Sequence, residues 1–248
     1  GNISGSQADY FQAVKGGGHG DYKLLVYAPY TLQELWDLTM LAFDKADEFL
    51  TPAMILADGI LGQMMEPFYP TPYRKPDLPE KTWALTGCRG RQPHVVKSLY
   101  MGDGELEMRN AKLQQKYRLM KEKEVRYESF FIEDADLIVV AFGIAARISL
   151  SAIRRLRHDG FRVGLFRPVT LFPFPEKELL TLSGTGRMFL TIELNAGQMV
   201  EDVRLSINGR SEVYFYGRPG GAIMTPEEVQ EKILSILAPR LSRSLSRP

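Results

Sequence analysis

The residues best placed to do chemistry in this 248-residue sequence sit at short polar corners between apolar runs. Asn195-Ala196-Gly197-Gln198 separates a strand-like "TIEL" from an amphipathic run that ends at Ile207. Such a corner is the carboxyl end of a parallel strand turning into a helix, the edge at which open α/β sheets meet ligands and partner surfaces. Gly197 permits close backbone approach, the N–H groups that open the next helix can receive an anion, and both amides donate or accept hydrogen bonds. Two readings stand for Asn195, a contact with something outside the chain and a plain helix cap. His19 lies among glycines in "GGGHG" (16–20), where a freed backbone leaves the imidazole able to meet a ligand or to hold the loop. Asp58 closes an apolar run ahead of Gly59, a position open to catalysis or to turn formation.

Other chemistries are excluded by residue type and spacing. His19, His94 and His158 are far apart and none has metal-ligand spacing with a cysteine or a second histidine. Cys88 is the single cysteine, so the chain holds no internal disulfide and no four-thiolate metal or iron-sulfur site of its own. No G-x-x-x-x-G-K-[ST] occurs, "GGGHG" precedes a strand instead of following one, and "AFGIAAR" carries one glycine where a dinucleotide turn needs three. No Ser-His-Asp or Cys-His arrangement follows from residue order. With 31 basic and 30 acidic residues the net charge is +1, which gives no pull toward nucleic acid or an anionic membrane. There is no apolar run of about 18 residues and no secretion signal, so a cytoplasmic location is expected. The opening "GNISGSQADY" reads as though cut from the middle of something.

The elements that must position these corners alternate between strand and helix. "KLLVYAP" (23–29) and "PAMILADG" (52–59) read as strands buried on both faces. Between them Thr31 and Glu34 form a capping box, and Leu32, Leu35, Trp36, Thr39, Met40 and Phe43 give a helix one apolar face. With a short helix over 6–14, this βαβ unit is too small to enclose a core. Five prolines fall between Pro67 and Pro79, which marks a boundary. The expected organisation is a first part over 1–66, a proline-rich linker over 67–104, a second part over 105–240 and a disordered tail over 241–248.

A long charged helix over 105–126 has a narrow seam of Leu106, Leu113, Tyr117 and Met120. Strands follow at 136–143, 162–168, 188–194 and 212–217. Helices lie between them: one with Ile148, Ala152, Ile153 and Leu156 buried and Gly160 as its stop, one at Glu176–Leu182, and one at Gln198–Ile207. A last helix over 225–237 has Thr225 as N-cap and Pro226 at its first turn. This alternation predicts an α/β protein with a parallel sheet covered on both faces.

Four stretches, "SQADYFQAVKGGGHGDYKLLVYAP" (6–29), "PAMILADGILGQMMEP" (52–67), "RPVTLFPFP" (167–175) and "ELNAGQMVEDVR" (193–204), resemble the α subunit of 2-oxoacid:ferredoxin oxidoreductases, in order and with family spacing. The 2-oxoisovalerate (3-methyl-2-oxobutanoate) type is the nearest match, and the resemblance runs from about residue 2 to about residue 238. It implies the later half of a pyrimidine-type thiamine-diphosphate domain followed by a domain like the C-terminal domain of transketolase. It also implies oxidative decarboxylation of a branched 2-oxoacid to its acyl-CoA. Thiamine diphosphate with magnesium would be shared with a β subunit, which also carries the iron-sulfur cluster. A second α subunit, ferredoxin as electron acceptor, coenzyme A and the 2-oxoacid are the other implied partners.

In that family a "YPITP"-like motif, the activating glutamate and an arginine-glycine loop precede the position of residue 1. The resemblance therefore implies an N-terminally truncated subunit that is inactive alone, and no catalytic residue is assigned to it. Asn2, Ser6, Gln7 and His19 are the positions expected nearest the thiamine and substrate pocket. Asn195, Gln198 and Glu201 are expected to face another subunit or coenzyme A. The alternatives are a non-catalytic assembly module of transketolase C-terminal-like fold and an unrelated small-molecule-binding α/β protein.

Overall fold

The computed structural model describes residues 4–184 and 186–245. Its elements in chain order are α1 (Tyr10–Lys15), β1 (Leu25–Tyr27), α2 (Leu32–Phe49), β2 (Ala53–Ile55), α3 (Gly59–Gln63), α4 (Glu105–Lys123), β3 (Tyr127–Phe130), β4 (Leu137–Val140), α5 (Gly143–His158), β5 (Val163–Pro168), β6 (Thr170–Phe172), α6 (Glu176–Leu182), β7 (Met188–Glu193), α7 (Met199–Ile207), β8 (Val213–Gly217) and α8 (Pro226–Leu245).

The second half is built on a sheet of order β3-β5-β4-β7-β8. Its apolar runs bury both faces: Leu137 and Val139 of β4 enter one core with α5 and α8, while Ile138 and Val140 enter the other with α6 and α7. Four strands are parallel, but β3 pairs antiparallel with β5. The expected parallel sheet thus carries one antiparallel edge strand. The cause is legible in "YESF", which is largely exposed and lacks the continuous apolar run of a central strand, so it joins as an edge. The path leaves β4 toward β5 on one side and returns to β7 on the other. The topological switch point thus lies between the carboxyl ends of β4 and β7.

The first half carries a smaller sheet of order β2-β1-β6. Here β1 is fully buried, but β2 is a half-buried edge, not the two-sided strand expected of "PAMILADG". The βαβ unit gains its third strand from the far half of the chain: β6 runs antiparallel to β1, with Val26 opposite Phe172 and Tyr27 opposite Thr170.

Helix α2 starts as its sequence predicts. The Thr31 hydroxyl accepts the Glu34 N–H at 3.1 Å, and Glu34 reaches back one residue further than in a standard box, to the Tyr30 N–H at 2.9 Å. Its apolar face corrects the expectation, because Leu38, Ala42 and Phe49 are the buried residues whereas Trp36 is 41% and Phe43 76% exposed. Two apolar stripes run along this helix, and the sheet takes the one with the smaller side chains. The long charged helix α4 buries Tyr117 and Met120, but Leu106 is exposed, so its seam closes only in the C-terminal half.

Residues 67–104 form no helix or strand and are exposed almost throughout. Their first part is laid along α2, where Tyr69 N–H donates to Gln33, Tyr73 OH to Asp44, and Lys81 pairs with Asp47. At the other end Thr225 and Glu228 cap α8 reciprocally, at 3.2 and 2.7 Å. The helix continues to Leu245, beyond residue 240, where a disordered tail is expected; residues 246–248 lie outside the described part.

Candidate functional site

The switch point is filled by the chain itself. Gln7, 5% exposed, donates from Nε2 to the Phe142 carbonyl at 2.9 Å and accepts the Leu194 N–H on Oε1 at 2.9 Å. Its backbone N–H donates to the Leu194 carbonyl at 2.9 Å, and its carbonyl accepts the Asn195 amide at 2.9 Å. A side chain that carries both donor and acceptor is what this position requires, because loops from β4 and β7 present one group of each kind. The crevice where an open α/β sheet would hold a ligand is here a set of internal bonds.

The polar side chains of "ELNAGQ" bond within the chain as well. Strand periodicity puts Glu193 on the same face as Phe189 and Thr191, under the start of α7, and it is fully buried. Its carboxylate accepts the N–H groups of Met199 at 2.7 Å and Val200 at 2.9 Å, and the Asn195 amide at 2.9 Å. Glu193 thus caps α7, whose N-cap residue Gln198 makes no side-chain cap of its own. Asn195, 1% exposed, donates to Glu193 and Gln7 and accepts the Gly197 N–H at 2.8 Å. Gly197 adopts φ +104°, which turns the chain into the helix and favours glycine.

Burial raises the Glu193 carboxyl above its ordinary range, outweighing the opposing pull of the Asn195 amide and the N–H groups of α7. A raised folded-state pKa stabilises the fold below the ordinary carboxylate pKa, and this contribution is lost as pH rises through the folded value. The stability difference between the wild type and Glu193→Gln is accordingly expected to shift against the wild type as pH rises from about 4 through the raised value. Thermal melts of both proteins across that range check it.

A second cleft lies where the two halves meet, between Ser6, Gln7, Asp9, Ala57, Asp58 and Gly143. Asp58 is not free for catalysis there. One carboxylate oxygen accepts the Ile60 and Leu61 N–H groups at 3.0 Å each, capping α3, and the other accepts the Ile144 N–H at 3.3 Å, at the start of α5. Gly143 stands at φ +53°, and a Cβ there would lie 3.1 Å from Gln7 Nε2 and 3.4 Å from an Asp58 oxygen. Gly143→Ala is expected to cost about 1–2 kcal/mol, roughly 4 °C in Tm, because an L side chain is disfavoured in that backbone region and the Gln7 amide must give way. A melt within about 1 °C of wild type would show that the contact yields freely.

Arg167 ties the halves together at another point. Although fully buried on β5, it grips Glu34 of α2 with two bonds of 2.9 and 2.6 Å, meets Glu128 of β3 at 2.9 Å, and stacks on the Tyr30 ring 3.9 Å from its centre.

These positions redistribute the expected site residues. Ser6 lies half-buried at the cleft, accepting the Ala8 N–H at 3.2 Å. His19 is exposed on the loop between α1 and β1. Asn2 lies outside the described residues. Against thiamine diphosphate, Gln7 has its side-chain polar atoms committed inside the chain, so it fits a role in holding the segment in position and not one of direct contact. Asn195 cannot face another subunit because it is buried, and it does not cap α7 because Glu193 does. Gln198 bonds within the chain, to the Ala8 carbonyl and the Phe11 N–H at 2.8 Å each. Glu201 is exposed on the first turn of α7.

Sequence reading missed Glu193 and Arg167, although each stands as a lone charge in an apolar strand, which signals a buried and paired group. No group of three His, Cys, Asp or Glu side chains among the described residues is arranged to hold a metal ion. No helix among them is long and apolar enough to cross a membrane.

Comparison with known proteins bears on both halves. Residues 1–128 match the family described as pyruvate flavodoxin/ferredoxin oxidoreductase, thiamine diphosphate-binding, and residues 135–229 match pyruvate:ferredoxin oxidoreductase core domain II. The chain is 43% identical, over 95% of its length and 67% of the relative's, to the ketoisovalerate oxidoreductase subunit VorB of Methanothermobacter marburgensis. It is 29% identical to the 2-oxoglutarate synthase subunit KorA of the same organism, over 93% of this chain and 68% of that one. Among solved structures, a 2-oxoglutarate:ferredoxin oxidoreductase from Magnetococcus marinus, with 2-oxoglutarate, coenzyme A and succinyl-CoA bound, shares the fold. Its TM-score is 0.70 at 20% identity, covering 94% of this chain and 45% of that one.

Proposed function

This chain belongs to the pyruvate flavodoxin/ferredoxin oxidoreductase family, and on that premise we propose that it serves as the α subunit of a branched-chain 2-oxoacid:ferredoxin oxidoreductase. The reaction is oxidative decarboxylation of 2-oxoisovalerate or a close analogue to its acyl-CoA, with the electrons passed to ferredoxin. One observation carries the substrate assignment: identity to the ketoisovalerate subunit is 43%, against 29% to a 2-oxoglutarate subunit, over nearly the same span.

Thiamine diphosphate supplies the carbanion chemistry when bound. Magnesium and the iron-sulfur cluster belong to a β subunit in this reading. This chain contributes positioning, and alone it is inactive. Residues 1–66 and 105–240 form its two functional parts, with 67–104 as the linker between them. The outward stripe of α2, where Trp36 and Phe68 pack 5.5 Å apart and Phe43 is exposed, supports contact with a β subunit or a second α subunit. Exposed Glu201 is a candidate contact for a partner or for coenzyme A. A reaction that uses ferredoxin and coenzyme A belongs in the cytoplasm.

The test is assembly of the subunit with its β partner and assay of coenzyme A-dependent decarboxylation with a ferredoxin-type acceptor. Turnover of 2-oxoisovalerate above pyruvate and 2-oxoglutarate is expected. Preference for either of the others overturns the substrate assignment, and turnover by this chain alone overturns its dependence on a partner.

A further inference from the structure

Residues that the sequence assigns to two separate surfaces, Gln7 to a cofactor pocket and Asn195 with Gln198 to a partner, meet along one segment of the chain. Gln7 is held by Leu194 and Asn195, and Gln198 holds the next turn through the Ala8 carbonyl and the Phe11 N–H. One helical turn further along α7, Asp202 accepts the Tyr10 hydroxyl at 2.7 Å and pairs with Lys15.

The short helix α1 depends on these bonds. At six residues it is too short to persist by itself, and its own N-cap residue, Asp9, makes no side-chain cap. The Phe11 N–H, an orphan donor of its first turn, is satisfied by Gln198 of α7. Tyr10, fully buried, hangs on Asp202. After Lys15 the chain passes into Gly16, Gly17 and Gly18, so no further helical turn supports α1.

We infer that the corner from Glu193 to Asp202 is an intrachain latch that positions the segment Gly5–Phe11 on the carboxyl edge of the five-stranded sheet. The latch lies in the part matching core domain II, and the segment lies in the part matching the thiamine-diphosphate-binding family. Gln198 is a positioning residue: Glu193 sets α7 in place, and Gln198 transmits that placement to Ala8 and Phe11. Its effect on the cofactor rests on the proposed function. The latch itself does not.

The test uses the assembled complex with Gln198→Ala and Gln198→Glu. Hydrogen exchange of the Phe11 amide should quicken at least tenfold in Gln198→Ala, while amides of Val203–Ile207 keep wild-type rates and the assembly mass is unchanged. Gln198→Glu retains an acceptor and should keep Phe11 protected while losing the bond to Ala8. Fluorescence titration with thiamine diphosphate should show at least fivefold weaker binding in Gln198→Ala, with the KM for coenzyme A unchanged.

Unaltered Phe11 exchange overturns the latch, and so does loss of assembly without faster exchange, the result a partner-facing Gln198 would give. Faster exchange with unchanged thiamine diphosphate binding overturns positioning and leaves plain packing. A wild-type complex that binds no thiamine diphosphate refutes the proposed function, and the exchange result then decides the latch alone.

Discussion

Replacing Glu193 with alanine is expected to lower stability by about 3 kcal/mol, a fall of roughly 6–12 °C in Tm for a chain of this size. The buried carboxylate accepts the first N–H groups of α7 and the Asn195 amide, and without it those donors stay out of reach of water. Each buried donor left without a partner costs about 1–3 kcal/mol, and partial relaxation of the helix start recovers some of that. Glu193→Gln keeps one acceptor oxygen but turns an NH2 group toward other donors, so an intermediate loss is expected. Thermal and urea denaturation measure both. A Glu193→Ala protein melting within about 2 °C of wild type would mean that α7 finds its cap elsewhere.

Arg167→Met is expected to cost about 3–5 kcal/mol, because removing one member of a buried ionic cluster leaves its partners uncompensated. Glu34 is the partner at risk: its side chain is 18% exposed, whereas that of Glu128 is 45% exposed and regains water easily. Arg167→Lys retains the charge but can neither grip both Glu34 oxygens nor stack on Tyr30, so about half the loss should remain. Lys121→Ala is the control. Its pair with Glu176 has both side chains about half exposed, and a change below about 0.5 kcal/mol is expected. A double-mutant cycle with Glu34→Gln isolates the pair, and a coupling near zero would refute this account.

Much of the fold was readable from the chain because long apolar runs and capping residues act locally. Glu176–Leu182 lies where Pro175 and its periodicity place it, and α8 opens at Thr225 and Pro226 as expected. What escaped was decided between distant segments. β6 is three residues in a proline-flanked stretch and exists as a strand only because β1 needs an antiparallel neighbour. Periodicity on α2 found the stripe with the largest side chains, but periodicity alone does not say which of two stripes meets the sheet. At the candidate site the bonds that these residues make run between distant segments. Gln7, Asn195 and Gln198 all stand out as polar groups at corners, yet each bonds to a residue more than 180 positions away in sequence, a relation invisible to local pattern.

The threading of residues 167–175 from one sheet into the other has a consequence for how this polypeptide can vary. Since β6 completes the smaller sheet and Arg167 locks α2 from the larger one, the two parts are joined by noncovalent bonds far from the loop that connects them. The stretch around Trp83 to Met101 is thus relieved of any duty to set their relative placement. Insertions, deletions or wholesale rewriting there would be felt by whatever molecule docks against that loop and hardly at all by the body of the protein.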